Sequence, residues 1–279
     1  GRSCGELRAF SSSIVCQQPR SSSSRRSCVM PQLTLLITLL SLLLCHTGTA
    51  AMSAATRGSS ATLLPLLGKL NENFKVVLAS GSPRRKELLA LMGLPNFSVL
   101  VSNFAEDLDH STFSTPQDYC LKTAAMKVEQ VVLSMPATNE KTLVIGADTI
   151  VEINGKILEK PVDDADSLRM LKMMSNNVHF VHTAVIAYSN CGNLNQDSSI
   201  GPMVNTVSFV ETTQVRFCDL TEADIAAYIA LGEGRDKAGS YGIQGAGGQM
   251  VKSIEGCYFN VMGLPIHSLS SKLAASFTG

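Results

Sequence analysis

Tryptophan is absent and aromatic residues make up only 5% of the 279-residue chain. That scarcity argues against a single-stranded nucleic-acid binder, which needs stacking platforms for successive bases. Net charge is missing too: 23 Lys and Arg face 23 Asp and Glu, so there is no broad basic face of the kind duplex DNA binding requires. The apolar run Leu33 to Cys45 covers 13 residues, short of the ~18–20 that span a bilayer. None of the eight cysteines pairs with another at C-x-x-C spacing, which removes a zinc or dithiol redox site of that type. The absence of G-x-S-x-G leaves a Ser-His-Asp hydrolase unsupported, and the absence of G-x-x-x-x-G-K-[ST] excludes a P-loop. There is no internal repeat.

What is present is a core-forming chain. Hydrophobic residues make up 45% and charged residues 16%, which rules out wholesale disorder. The length suits two domains or one large α/β unit. The zero net charge hides an asymmetry, because Arg2, Arg8, Arg20, Arg25 and Arg26 precede Met52 with Glu6 as the sole acid there. The remainder of the chain is therefore acidic. An acidic body that binds a polyanion must gather its few cations at one place.

Residues 1–51 read as a disordered or targeting extension, of which 1–29 are Ser- and Arg-rich without periodicity. Its apolar segment 33–45, followed by Gly48-Thr49-Ala50-Ala51, resembles a secretory signal. The Arg-rich, acid-poor flank equally suits a mitochondrial presequence, and a start at Met52 would dispense with both. Residues 52–73 read as a linker and 74–275 as the folded domain. Cys120, Cys191, Cys218 and Cys257 lie far apart and read as free thiols, which points to a reducing, cytoplasmic location.

From Phe74 onward short apolar runs alternate with amphipathic ones. Lys75–Ala79 predicts a buried strand. Ser80-Gly81-Ser82-Pro83 breaks it, and Arg84–Met92 predicts a helix with Ser82 as N-cap and Pro83 at the first helical position. Further strands are expected at 97–102, 142–153, 178–188, 206–217 and 250–254, and helices at 117–134, 163–174, 221–230 and 261–275. Asn154-Gly155 is a hairpin signal, and Thr221 with Asp224 forms a capping box. The pattern predicts an α/β fold: a mixed twisted sheet with flanking helices, in two lobes around a central cleft.

Four segments carry chemistry. In Ser80-Gly81-Ser82-Pro83-Arg84-Arg85 a strand runs through a turn into a helix N-terminus, which offers backbone N–H groups to an anion. Two hydroxyls and two guanidinium forks add to it, although an ordinary cap with a solvated Arg pair fits the same residues. Asp148 sits between Val144-Ile145 and Ile150-Val151, where an unpaired carboxylate is costly. It must meet a cation, a metal or a donor; a Mg²⁺ site and a structural ion pair both satisfy that. Lys160, in Glu159-Lys160-Pro161, returns beside the Asp148 strand after the hairpin, or is simply a surface cation. The segment 232–248, with Gly alternating with Glu, Asp, Lys and Gln, reads as a loop whose backbone approaches a ligand closely. Among the His residues, His179 and His182 fall on opposite sides of one strand and read as structural.

Taken together, these segments resemble the Maf family of nucleoside triphosphate pyrophosphatases, including the Maf-like half of acetylserotonin methyltransferase-like proteins. The resemblance is carried by Val77 to Leu89, Glu106, Lys127, Gly146-Ala147-Asp148-Thr149-Ile150-Val151, Glu159-Lys160-Pro161, His179 with Thr183, and Asp236 to Gly245, followed by Ile254 to Ile266. It implies a fold like that of inosine triphosphate pyrophosphatases. It also implies hydrolysis of dTTP or UTP, or modified pyrimidine nucleotides, to the monophosphate and pyrophosphate with Mg²⁺ or Mn²⁺, in what is often a homodimer. Carried over by position, Ser80, Ser82, Arg84, Arg85, Lys127 and Lys237 would bind the substrate. Glu106 and Asp148 would hold the metal, and Asp148, Lys160 and Gln244 would act in catalysis, Asp148 as proton acceptor. The sequence departs from the family at Ser175-Asn176-Asn177 and Thr183-Ala184. The same resemblance leaves a second expectation, a nucleotide-sensing regulatory module with little turnover. The 232–248 loop is expected to close over the base as a lid.

Overall fold

Val76, Val77 and Leu78 are all buried, as a strand without polar alternation must be when covered on both faces. They form the first of seven strands in the computed structural model, which describes residues 61–105, 108–191 and 201–278. The strands are β1 (Lys75–Leu78), β2 (Phe97–Val99), β3 (Thr142–Ile153), β4 (Lys156–Leu158), β5 (Val178–Ser189), β6 (Val204–Phe217) and β7 (Val251–Glu255). The helices are α1 (Leu67–Asn73), α2 (Pro83–Leu91), α3 (Pro116–Ser134), α4 (Asp164–Met174), α5 (Glu222–Ala230), α6 (Tyr258–Met262) and α7 (Ile266–Thr278).

One sheet runs β2-β1-β3-β5-β6-β7. Its β2, β1 and β3 are parallel, and β3, β5, β6 and β7 are antiparallel, so the sheet is mixed as expected. The long strand β3 serves two halves. Its Leu143, Ile145 and Ala147 join a core with Leu88 and Leu89 of α2 and Leu269, Leu273 and Phe277 of α7. On the other face Val144 and Ile150 pack with Ala124, Val128 and Val131 of α3. Farther along, Val151 and Ile153 enter a separate core with Met170 and Leu171 of α4 and Ile225 and Tyr228 of α5.

The pairing register of β3 creates the gap between these halves. Strand β1 pairs with it from Thr142 to Ile145, and β4 pairs along the same edge only from Val151 to Ile153. Among the described residues, 146–150 therefore have no strand neighbour on that edge, while β5 pairs continuously on the other. Gly146-Ala147-Asp148-Thr149-Ile150 fills this window.

Two expectations need correction. Residues 61–73, read as part of a linker, form a 3-10 turn at Leu64–Leu66 and then α1. Leu63, Leu66 and Leu70 are buried there because their spacing is a helical stripe. The closing helix is two helices. It breaks at Gly263, whose φ is 112°, and Pro265 then supplies no N–H to continue the ladder. No helix among the described residues is long and apolar enough to cross a membrane.

Candidate active site

The window beside β3 opens into a cavity of about 430 Å³. Ser80, Ser82, Arg84, Arg85, Lys127, Asp148, Lys160, Lys237 and Gln244 all line it. Residues from five separate stretches of chain therefore meet in one place. Glu106, expected beside Asp148, lies outside the described residues.

The first wall is built where β1 leaves the sheet. Ala79 N–H still donates to Ile145 O at 2.7 Å, after which the chain turns into α2. Ser82 caps the helix by accepting from Arg85 N–H, and Ser82 N–H donates to Ser80 Oγ at 3.3 Å. Arg85 is held from three sides: Nε donates to Gly263 O at 2.9 Å, Nη1 to Ser80 Oγ at 3.2 Å and Nη2 to Thr149 Oγ1 at 2.8 Å. The break after α6 thus has a purpose in the site, since it turns the Gly263 carbonyl onto Arg85. Thr149 is supported by Thr183 Oγ1 at 3.0 Å, which donates onward to Asn260 O at 3.0 Å. A donor-only guanidinium at one end and an acceptor-only carbonyl at the other fix the direction of both hydroxyls.

Asp148 meets Lys127 of α3, with Nζ 2.7 Å from Oδ1 and side-chain exposures of 14% and 9%. Gly146 is what lets α3 approach this closely. A Cβ there would lie 2.3 Å from Val128 Cγ2, so any other residue would push the helix and Lys127 away. Behind the carboxylate, Cys120 Sγ lies 3.5 Å from Asp148 O and from His182 O, and 4.0 Å from Asp148 Oδ2. Burial pushes the Cys120 thiol up, and the charge of Asp148 adds to it. It stays a protonated thiol, not a nucleophile.

The remaining walls mix polar groups with apolar side chains such as Val151, Val181, Ile243 and Met262. Tyr119 OH donates to Glu159 Oε1 at 2.6 Å; burial and then Glu159 raise this phenol well above its usual range. Lys160 lies two residues past the end of β4, the strand returned by the Asn154-Gly155 turn. Asp236 lies between Arg84 Nη1 at 3.3 Å and Lys237 Nζ at 2.7 Å. Burial alone would raise its carboxyl, but the two cations outweigh that and hold it below the ordinary range.

The segment expected to act as a mobile lid is laced down. Glu233 accepts from Ala246 N–H at 2.7 Å and Gly247 N–H at 3.2 Å, and Tyr241 OH pairs with His179 Nε2 at 2.8 Å. His179 is fully buried, and desolvation alone takes it down to about 3. His182 lies away from it, against Thr212 Oγ1 at 2.9 Å. Sequence reasoning missed Glu233, Gly263 O and the support given to Thr149. Thr149, Thr183 and Gly263 do lie in segments that carry the family resemblance.

Among the described residues no three His, Cys, Asp or Glu side chains converge as a metal cage. The donor set still fits a hard divalent ion that arrives on a polyphosphate. One buried carboxylate plus substrate oxygens is a normal way to hold such an ion.

The family model described as Maf-like protein matches residues 75–276. The Homo sapiens protein named "Probable bifunctional dTTP/UTP pyrophosphatase/methyltransferase protein" is 43% identical over 213 residues, which are 76% of this chain and 33% of that protein. The chain therefore spans a third of that relative's length. A dTTP/UTP pyrophosphatase of Bacillus cereus is 43% identical over 199 residues, 71% of this chain and 94% of the relative. One from Bacillus cytotoxicus matches to the same extent, 43% over 199 residues.

Proposed function

The chain belongs to the Maf family, and we propose from that premise that it is a dTTP/UTP pyrophosphatase. It would cut the bond between the α and β phosphates and release the monophosphate and pyrophosphate. The observation that carries this reading is the convergence of Arg84, Arg85, Lys127, Lys160 and Lys237 on the cavity that holds Asp148. In a chain whose body is acidic, that gathering of cations suits a triphosphate. The names of the relatives favour turnover over a purely nucleotide-sensing module.

In this reading, the N-terminus of α2, Ser82 and Arg84 receive the phosphates. Arg85 presents a guanidinium already oriented by Gly263 O, Ser80 and Thr149. Such preorganised donors act without reorganising as charge develops. A water placed beside Asp148 gives its proton to that carboxylate while its oxygen bonds to phosphorus. The bridging P–O bond breaks, and pyrophosphate leaves with the electron pair. Lys160 and Gln244 face the charge that builds on the leaving group. A divalent metal, Mg²⁺ or Mn²⁺, held by Asp148 and Glu106, would supply Lewis-acid polarisation of the phosphoryl oxygens.

We place the enzyme in the cytoplasm, in keeping with the free thiols of Cys120, Cys191, Cys218 and Cys257. Imaging of the tagged chain, against one starting at Met52, tests that. The activity is tested by coupled pyrophosphate detection over a panel of triphosphates with Mg²⁺ or Mn²⁺. The expected result is turnover of dTTP and UTP well above purine triphosphates. Binding of dTTP without release of pyrophosphate would refute it.

A further inference from the structure

The segment 232–248 is organised around one side chain that no motif singled out. Oε2 of Glu233 accepts from Ala246 N–H at 2.7 Å, and Oε1 accepts from Gly247 N–H at 3.2 Å and from Tyr228 OH at 3.1 Å. The same Tyr228 oxygen accepts from Gly242 N–H at 3.0 Å. A Cβ on Gly245 would lie 2.4 Å from Glu233 Oε2, so the chain wraps onto the carboxylate where only glycine fits. Gln244 is thereby tied down two residues before it, at Gly242, and two and three residues after it, at Ala246 and Gly247. The backbone carbonyl of Glu233 also accepts from Lys237 Nζ. Of the residues that this segment contributes to the cavity, Lys237 and Gln244 thus take their position from Glu233.

We propose that Glu233 is a positioning residue: its carboxylate moulds the 242–247 backbone so that Gln244 meets the triphosphate at the reacting phosphates. The inference rests on the pyrophosphatase reading. Successive backbone N–H groups that converge on one anion form a nest, and a carboxylate can satisfy both N–H groups and the tyrosine at once. The isosteric amide cannot, because one of its two ends is itself a donor. Glu233→Gln therefore keeps the shape and removes the mould. Glu233 does not line the cavity, and its backbone carbonyl, which holds Lys237, is kept in Glu233→Gln, so the effect of the carboxylate passes through the 242–247 backbone to Gln244.

The test is a kinetic cycle on dTTP with the full chain, using Glu233→Gln, Gln244→Ala and the double variant, with thermal melts alongside. Glu233→Gln is expected to lower kcat roughly tenfold or more with KM within about threefold, and to cost less than about twofold once Gln244 is already Ala. An equal loss in both backgrounds, or no loss in either, would overturn the proposal. Should Glu233→Gln fail to fold, Tyr228→Phe cuts the bridge to Gly242 alone and must show the same dependence on Gln244; independence would overturn it. Amide hydrogen exchange keeps this inference separate from the functional reading. Exchange at 242–247 is expected to quicken roughly tenfold in Glu233→Gln. Unchanged exchange overturns the proposal even if the unaltered chain cleaves dTTP, while a chain that cleaves no triphosphate refutes the pyrophosphatase reading whatever the exchange shows.

Discussion

Replacing Lys127 by Met removes the charge that faces Asp148 at 2.7 Å and keeps an aliphatic stem of similar length. The two side chains are only 14% and 9% exposed, so bulk water cannot take over the lost partner. Removing one member of a buried pair costs about 3–5 kcal/mol. The lower end applies here, because the pair borders a cavity that admits solvent. At ~2–4 °C per kcal/mol for a domain of this size, about 3 kcal/mol is a fall of roughly 6–12 °C in thermal midpoint. Replacing Asp148 as well, by Asn, removes the stranded charge, and the double variant should return to within about 1 kcal/mol of the unaltered protein. Melts followed by circular dichroism at neutral pH measure all four corners of this cycle. Adding salt should change the result little, since a shielded pair is screened far less than a surface one. A midpoint for Lys127→Met within about 1 °C of the unaltered chain would refute the reasoning. So would two single costs that simply add.

Arg85→Lys replaces a planar fork that bonds Gly263 O, Ser80 and Thr149 with a point charge, and initial rates should show KM for dTTP raised roughly tenfold or more; an unchanged KM would sink it. Gly146→Ala puts a methyl group 2.3 Å from Val128 Cγ2, at a cost of about 1–3 kcal/mol by urea titration, and Val128→Ala should recover most of it. Buried His179 is held down at about 3 against an ordinary 6.5. Its folded-state value is depressed, so the unfolded chain binds the extra proton, and stability is lost as pH falls below 6.5 toward 3. Between pH 7.5 and 5 that is about 2 kcal/mol, and His179→Phe should flatten the slope of urea midpoint against pH by that amount.

The parts of the site legible in the sequence were those whose chemistry conflicts with their surroundings. Asp148 stands in an apolar run, and Arg84 and Arg85 follow a strand-to-helix turn with a Ser cap. Lys160 comes after a two-residue hairpin that can only return alongside β3. Fold class followed from the same periodicities, which is why the strands fall within a few residues of expectation. The partner of Asp148 was not legible as a pair, because Lys127 reaches it only when α3 packs over Gly146 at a distance no local pattern encodes. Glu233 gave no signal at all. Its role is to satisfy backbone N–H groups of Ala246 and Gly247, and backbone donors carry no sequence identity. Residues 61–73 were misjudged because a Gly at 68 and a Pro at 65 mask a stripe of three leucines. The continuous helix expected at the end ignored Gly263 and Pro265, the two residues that turn a carbonyl onto Arg85.

That one cavity holds the cations and the acid that together cut a triphosphate is tested most directly by ³¹P NMR of dTTP incubated with the full chain and Mg²⁺. The expected spectrum shows the monophosphate and pyrophosphate growing in equal amounts. Asp148→Asn should slow that growth by roughly 10²–10⁴-fold, the usual worth of a general base. Orthophosphate and the diphosphate as products, or full activity in Asp148→Asn, would contradict it.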